Sequence, residues 1–89
     1  MIPNNNLPFK QKRAWTLVLE RLTLGNRIYR ELSFTTKNDR YFEVDPEGIQ
    51  TPLGGHVARY LMDHRYLKEH SRQYDENKKL IGITYTHTR

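Results

Sequence analysis

No cysteine occurs in this chain. For 89 residues, no other feature of the sequence narrows the possible folds so far. Disulfide staples, thiolate nucleophiles and cysteine-based zinc sites are removed together. A chain this short buries only about 60–65% of the surface that its unfolded form exposes, so a small apolar core must hold it without covalent help. One domain is expected: residues 1–8 as a flexible arm, with two prolines, a triple asparagine and no charge, then residues 9–89 as a single folded unit. No apolar run is longer than Leu17-Val18-Leu19. That is too short for a transmembrane helix or for the apolar centre of a signal peptide. With no membrane segment and no need for an oxidising compartment, a cytoplasmic location is the expectation.

The hydrophobic pattern predicts an α+β domain. Trp15, Val18, Leu19 and Leu22 recur at helical spacing, and Gly25-Asn26 supplies a stop that tolerates left-handed backbone. Residues 27–34 read equally as a short helix or a strand. Lys37 to Arg40 reads as a turn, and residues 41–44 have strand propensity. Asp45-Pro46-Glu47-Gly48 is a strong turn signal. Thr51 followed by Pro52 reads as an N-cap and first helical residue, opening a second helix near 52–65 with Leu53, Val57, Tyr60, Leu61 and His64 on its buried face. Residues 67–74 extend into the polar turn Asp75-Glu76-Asn77-Lys78. The segment Leu80 to Thr86, β-branched and aromatic, is the clearest strand in the chain. Trp15, Phe34, Phe42, Tyr60 and Tyr85 are the expected core aromatics, and Tyr66 and Tyr74 the exposed ones.

Charge is unevenly spread over the formal net of +5. Residues 1–24 carry Lys10, Lys12, Arg13 and Arg21 against Glu20 alone. The middle of the chain, residues 25–50, is slightly acidic. Residues 51–89 carry seven bases against Asp63, Glu69, Asp75 and Glu76, and hold all four histidines. A positive field favours a polyanionic partner, nucleic acid or an acidic protein surface. Lys10, Lys12 and Arg13 crowd the first turns of a helix, where the helix dipole disfavours positive charge.

The stretch from Thr51-Pro52-Leu53-Gly54-Gly55-His56 through Tyr66-Leu67, followed by Tyr74-Asp75 through Ile83-Thr84-Tyr85, resembles the recognition helix and wing of winged helix-turn-helix DNA-binding proteins. The resemblance covers residues 51–86. It implies a small winged-helix-like domain: an N-terminal helix, a second helix near 52–65 and a C-terminal β-hairpin as the wing. It also implies sequence-specific binding of double-stranded DNA, as in a small transcriptional regulator. His56, Arg59 and Asp63 would face the major groove, with Arg59 able to read guanine bidentately. Arg72, Lys78 and Lys79 on the wing, and Lys10, Lys12 and Arg13 on the first helix, would contact phosphates. So small a domain covers few base pairs, so a symmetric homodimer on a palindromic site is expected, with Trp15 and Leu19 or the arm residues Ile2 and Leu7 at its interface.

Other functions compete with this one. A small accessory or inhibitory module, of the kind mobile elements encode, would dock its basic surface on an acidic partner. Tyr66 and Tyr74, beside Arg65 and Arg72, could stack on an unpaired RNA strand. Enzyme chemistry is not expected. Glu43 and Asp45 lack the following lysine of metal nucleases, and Gly54-Gly55 is not a phosphate loop. A small basic ribonuclease using His70, Arg72, Tyr85 or His87 rests on residue availability alone. The histidine spacing matches no zinc motif, and no metal, cofactor or small-molecule ligand is expected.

Overall fold

The computed structural model describes residues 6–35 and 38–88, with side chains from Ala14 onward. Helix α1 (Asn6–Thr23) opens the chain and takes in Asn6, Leu7 and Pro8, the last three residues of the expected arm. Pro8 is tolerated there because the first turn's N–H groups have no intrahelical acceptor. Gly25 ends the helix at φ +112°. Its N–H donates to Leu22 O at 3.1 Å while the Asn26 N–H reaches Arg21 O at 3.0 Å. These two bonds satisfy carbonyls that the helix end would otherwise leave unpaired.

Strands β1 (Arg27–Glu31) and β2 (Arg40–Val44) follow, antiparallel, with Tyr29 opposite Phe42. The segment near 27–34 is therefore a strand rather than a helix. β2 returns through the Asp45 turn into β3 (Gln50–Leu53). Helix α2 (Gly55–Asp63) then crosses the sheet to β4 (Leu67–Tyr74), which pairs with β5 (Leu80–His87). β5 also pairs with β1, giving one antiparallel sheet of order β3-β2-β1-β5-β4.

This sheet overturns the winged-helix-like expectation. The element before α2 is a strand, so no helix-turn-helix forms, and the hairpin intended as a wing is built into the sheet through β5. Thr51 and Pro52 lie in β3 instead of opening α2. β3 is an edge strand, where a missing N–H costs no ladder bond, and Gly54 takes over as the N-cap without a side-chain bond.

Both helices cover one sheet face. Val18 and Leu22 of α1 and Val57, Ala58 and Leu61 of α2 pack on Ile28, Tyr41 and Leu67. Ile28 and Leu61 are fully buried. The aromatic assignments change in part. Phe34 is 56% exposed beyond the end of β1, and Phe42 lies on the opposite, open face. Tyr41 and Tyr66 join the core or pack against it. Glu43, only 7% exposed, points to the helix side. Arg21 Nε and Nη2 donate to its two oxygens at 2.6 and 2.9 Å, and Asn26 Nδ2 donates to Oε2 at 2.6 Å. Burial by itself would raise this carboxyl, but those donors and the Arg21 charge outweigh it and hold the group below the ordinary glutamate range. The ion pair ties α1 to β2. No helix among the described residues is long and apolar enough to cross a membrane.

Candidate nucleic-acid interface

Both helices end at the same end of the sheet, where β1 and β4 begin and β5 finishes. α2 stops as α1 does: Arg65 N–H donates to Met62 O at 3.0 Å and Tyr66 N–H to Leu61 O at 2.9 Å. Here, however, the left-handed residue is Arg65 at φ +61°, in the position that Gly25 holds after α1. A long cationic side chain thus occupies a backbone conformation that favours glycine.

Two clefts meet at this end. The first, of about 620 Å³, lies between α1 and the α2–β4 turn and is lined by Leu19, His64, Arg65, Tyr66 and Thr88. The second, of about 400 Å³, wraps the end of the sheet and is lined by Asn26, Arg27, Lys68, His70 and Thr86. Leu22, Thr23 and His87 line both. Together they gather three fixed cations and three imidazoles, and no aspartate or glutamate lines either cleft. Among the described residues, Arg27, Arg65 and Lys68 enter no ion pair. Asp45 follows the residue opposite Arg27, but its Oδ1 accepts from the Glu47 and Ile49 N–H groups at 2.9 and 2.8 Å.

A run of near-parallel rings backs the first cleft. Trp15 stacks on Tyr60 at 4.8 Å and on Tyr66 at 5.9 Å, and Tyr60 stacks on His64 at 3.9 Å. His64 was expected on the buried helix face. It is exposed because α2 ends at Asp63, and its Nδ1 lies 2.9 Å from Tyr60 O.

The residues singled out in the sequence fall into separate groups, on α2, on the β4–β5 hairpin and on α1. His56, Arg59 and Asp63 are exposed along the outward side of α2, with Asp63 at the opposite end from His56. Arg59 borders a third cleft, of about 460 Å³, with Arg30, Asp39 and Tyr41. There Arg30 Nε donates to Asp39 Oδ2 at 2.7 Å, and Arg30 lies 5.9 Å from the Tyr41 ring centre. Asp39 is held below the ordinary aspartate range, chiefly by the Ser33 N–H at 3.0 Å and then by Arg30. The two charges of that pair offset each other, leaving Arg59 as the unpaired one. Arg72 is engaged by Glu69 at 3.0 Å. Lys78 sits in the hairpin turn at φ +65°, and the Lys79 ammonium lies 4.0 Å from the Phe34 ring centre. Lys10, Lys12 and Arg13 are on α1, with side chains outside the described residues.

Sequence reasoning counted Arg27, Arg65 and Lys68 as charges without grouping them. No periodicity unites them: Arg27 begins β1, Arg65 lies in the turn after α2 and Lys68 is the second residue of β4. The chain matches no protein-family model, and neither a curated protein nor a solved structure matches it.

Proposed function

We propose that this chain binds nucleic acid, holding backbone phosphates in the two joined clefts. The observation that carries the reading is the convergence of Arg27, Arg65 and Lys68 with three histidines where no carboxylate lines the wall. Phosphate oxygens accept from guanidinium, ammonium and hydroxyl donors without regard to base sequence, so such a cleft positions a backbone.

For double-stranded DNA, α2 is the element offered to a groove. His56, Arg59 and Asp63 are bare on one side of a nine-residue helix. Its length, about 13 Å, is comparable to a major groove about 12 Å wide. A symmetric homodimer on a palindromic site is part of this reading, and size exclusion with and without duplex tests it.

The deciding experiment is fluorescence anisotropy with a labelled duplex and a labelled single strand, titrated between about 50 and 200 mM salt. Binding that weakens steeply with salt supports the reading, and Arg65→Ala or Lys68→Ala should each lower the log–log slope by about one. No binding of either probe at 50 mM would end it, leaving an acidic protein as the partner to seek.

A further inference from the structure

The face of the sheet turned away from the helices has a composition of its own. Strand alternation places Arg27, Tyr29 and Glu31 of β1 there, with Arg40, Phe42 and Val44 of β2. Pro52 of β3 stands opposite Phe42, and Lys68 of β4 opposite Thr86. Arg27, Arg40, Pro52 and Lys68 are exposed on this face, and Tyr29 and Phe42 are half-buried.

Its centre is an aromatic shelf. Tyr29 and Phe42 are direct cross-strand partners, and Tyr29 is also opposite Thr84 of β5. A Cβ built at Gly82 would fall on the Tyr29 ring and hydroxyl, so that ring lies against the β5 backbone in space only glycine leaves open. The Arg40 guanidinium lies 5.4 Å from the Phe42 ring centre. The single acid that the described strands place on this face, Glu31, stands 3.6 Å from Arg40. Arg27 and Lys68, at the other end of the shelf, also line the second basic cleft. The shelf and the phosphate site are therefore continuous.

We infer that this open face receives an unpaired nucleic-acid strand whose bases stack on Tyr29 and Phe42 while its phosphates follow Arg27 and Lys68 into the cleft. The inference rests on the nucleic-acid reading above and names the form of nucleic acid. Flat rings flanked by cations fit bases that are free to turn outward, and base–aromatic stacking is tolerant of sequence. In a duplex the base faces are already stacked on one another and cannot reach the shelf. The net positive rim suits an acidic protein as well as a nucleic acid, but a single strand supplies phosphates for the rim and successive flat bases for both rings along one chain.

The test compares a fluorescein-labelled 12-nucleotide oligothymidine with a duplex of the same length by anisotropy. Tyr29→Leu and Phe42→Leu should each weaken the single strand by about tenfold and leave the duplex unchanged. Thermal unfolding of both variants checks that they fold. A second measurement uses the unaltered protein: a 5-bromouridine 12-mer, photo-crosslinked and mapped by mass spectrometry, should mark peptides containing Tyr29 or Phe42. Crosslinks confined to α2, or unchanged single-strand affinity in folded variants, overturn the shelf. If Arg65→Ala weakens binding while the shelf variants do not, the shelf alone fails. If neither probe binds at all, the phosphate reading fails and takes the shelf with it.

Discussion

Gly48 and Lys78 hold the same position in two copies of one turn. Gly48 N–H donates to Asp45 O at 2.9 Å, and Lys78 N–H to Asp75 O at 3.0 Å. In both turns the aspartate N–H closes the loop on the residue four positions on, and its Oδ1 accepts the N–H groups two and four positions on. Both residues have positive φ, +90° and +65°. One turn carries glycine where the conformation asks for it, and the other carries lysine.

Lys78→Gly should therefore stabilise the protein by about 1 kcal/mol, since a side chain in left-handed backbone costs about that much. Gly48→Ala should lose a similar amount. Urea unfolding of both variants measures the pair, and an unchanged midpoint for Lys78→Gly would refute the strain.

Arg65 presents the same backbone cost inside the basic cleft. Arg65→Gly should raise stability by about 1 kcal/mol while weakening nucleic-acid binding, a separation of stability from function. The two readouts are urea unfolding and anisotropy on the same preparation. A variant that gains stability and binds as before would place the side chain outside the interface.

Glu43 sets an acid limit. Its native carboxyl titrates lower than in the unfolded chain. Its contribution is therefore complete above the ordinary glutamate value near about pH 4.3 and is lost as pH falls through the lower native value. Glu43→Gln should cost about 1–3 kcal/mol at pH 7, because Arg21 and Asn26 lose a charged acceptor. Between pH 7 and pH 3 the unaltered protein should lose more stability than the variant. Parallel losses in the two proteins would show that another carboxylate governs acid unfolding.

Gly82 and Tyr29 should be energetically coupled. Gly82→Ala puts a methyl group where the Tyr29 ring lies, which should cost about 1–3 kcal/mol. In a Tyr29→Ala background the same substitution should cost much less. Thermal or urea unfolding of the four proteins gives the coupling, and simple additivity would mean that the ring does not occupy that space in solution.

Much of the local structure was legible in the residues themselves. The α1 stripe of Trp15, Val18, Leu19 and Leu22, the stop at Gly25, the Asp45 and Asp75 turns and the β-branched run of β5 are signals carried within a few residues, because they express backbone preference and side-chain period. The fate of Thr51 and Pro52 was not legible. The pair suits a helix start and an edge strand equally, and the choice fell to β2, whose Glu43 and Phe42 lie opposite them. Burial of Tyr41 over Phe42 likewise depended on which face the helices cover. The basic cleft and the aromatic shelf lay furthest from view. Arg27, Arg65 and Lys68, and Tyr29, Phe42 and Gly82, are brought together by strand register and helix ends across long sequence separations. Composition and period determined that this chain folds as a basic domain of helices and strands. Only the pairing of β1 with both β2 and β5, and the place where the two helices end, decided which of its charges and rings share a surface, because these set the neighbours of residues that no local preference links.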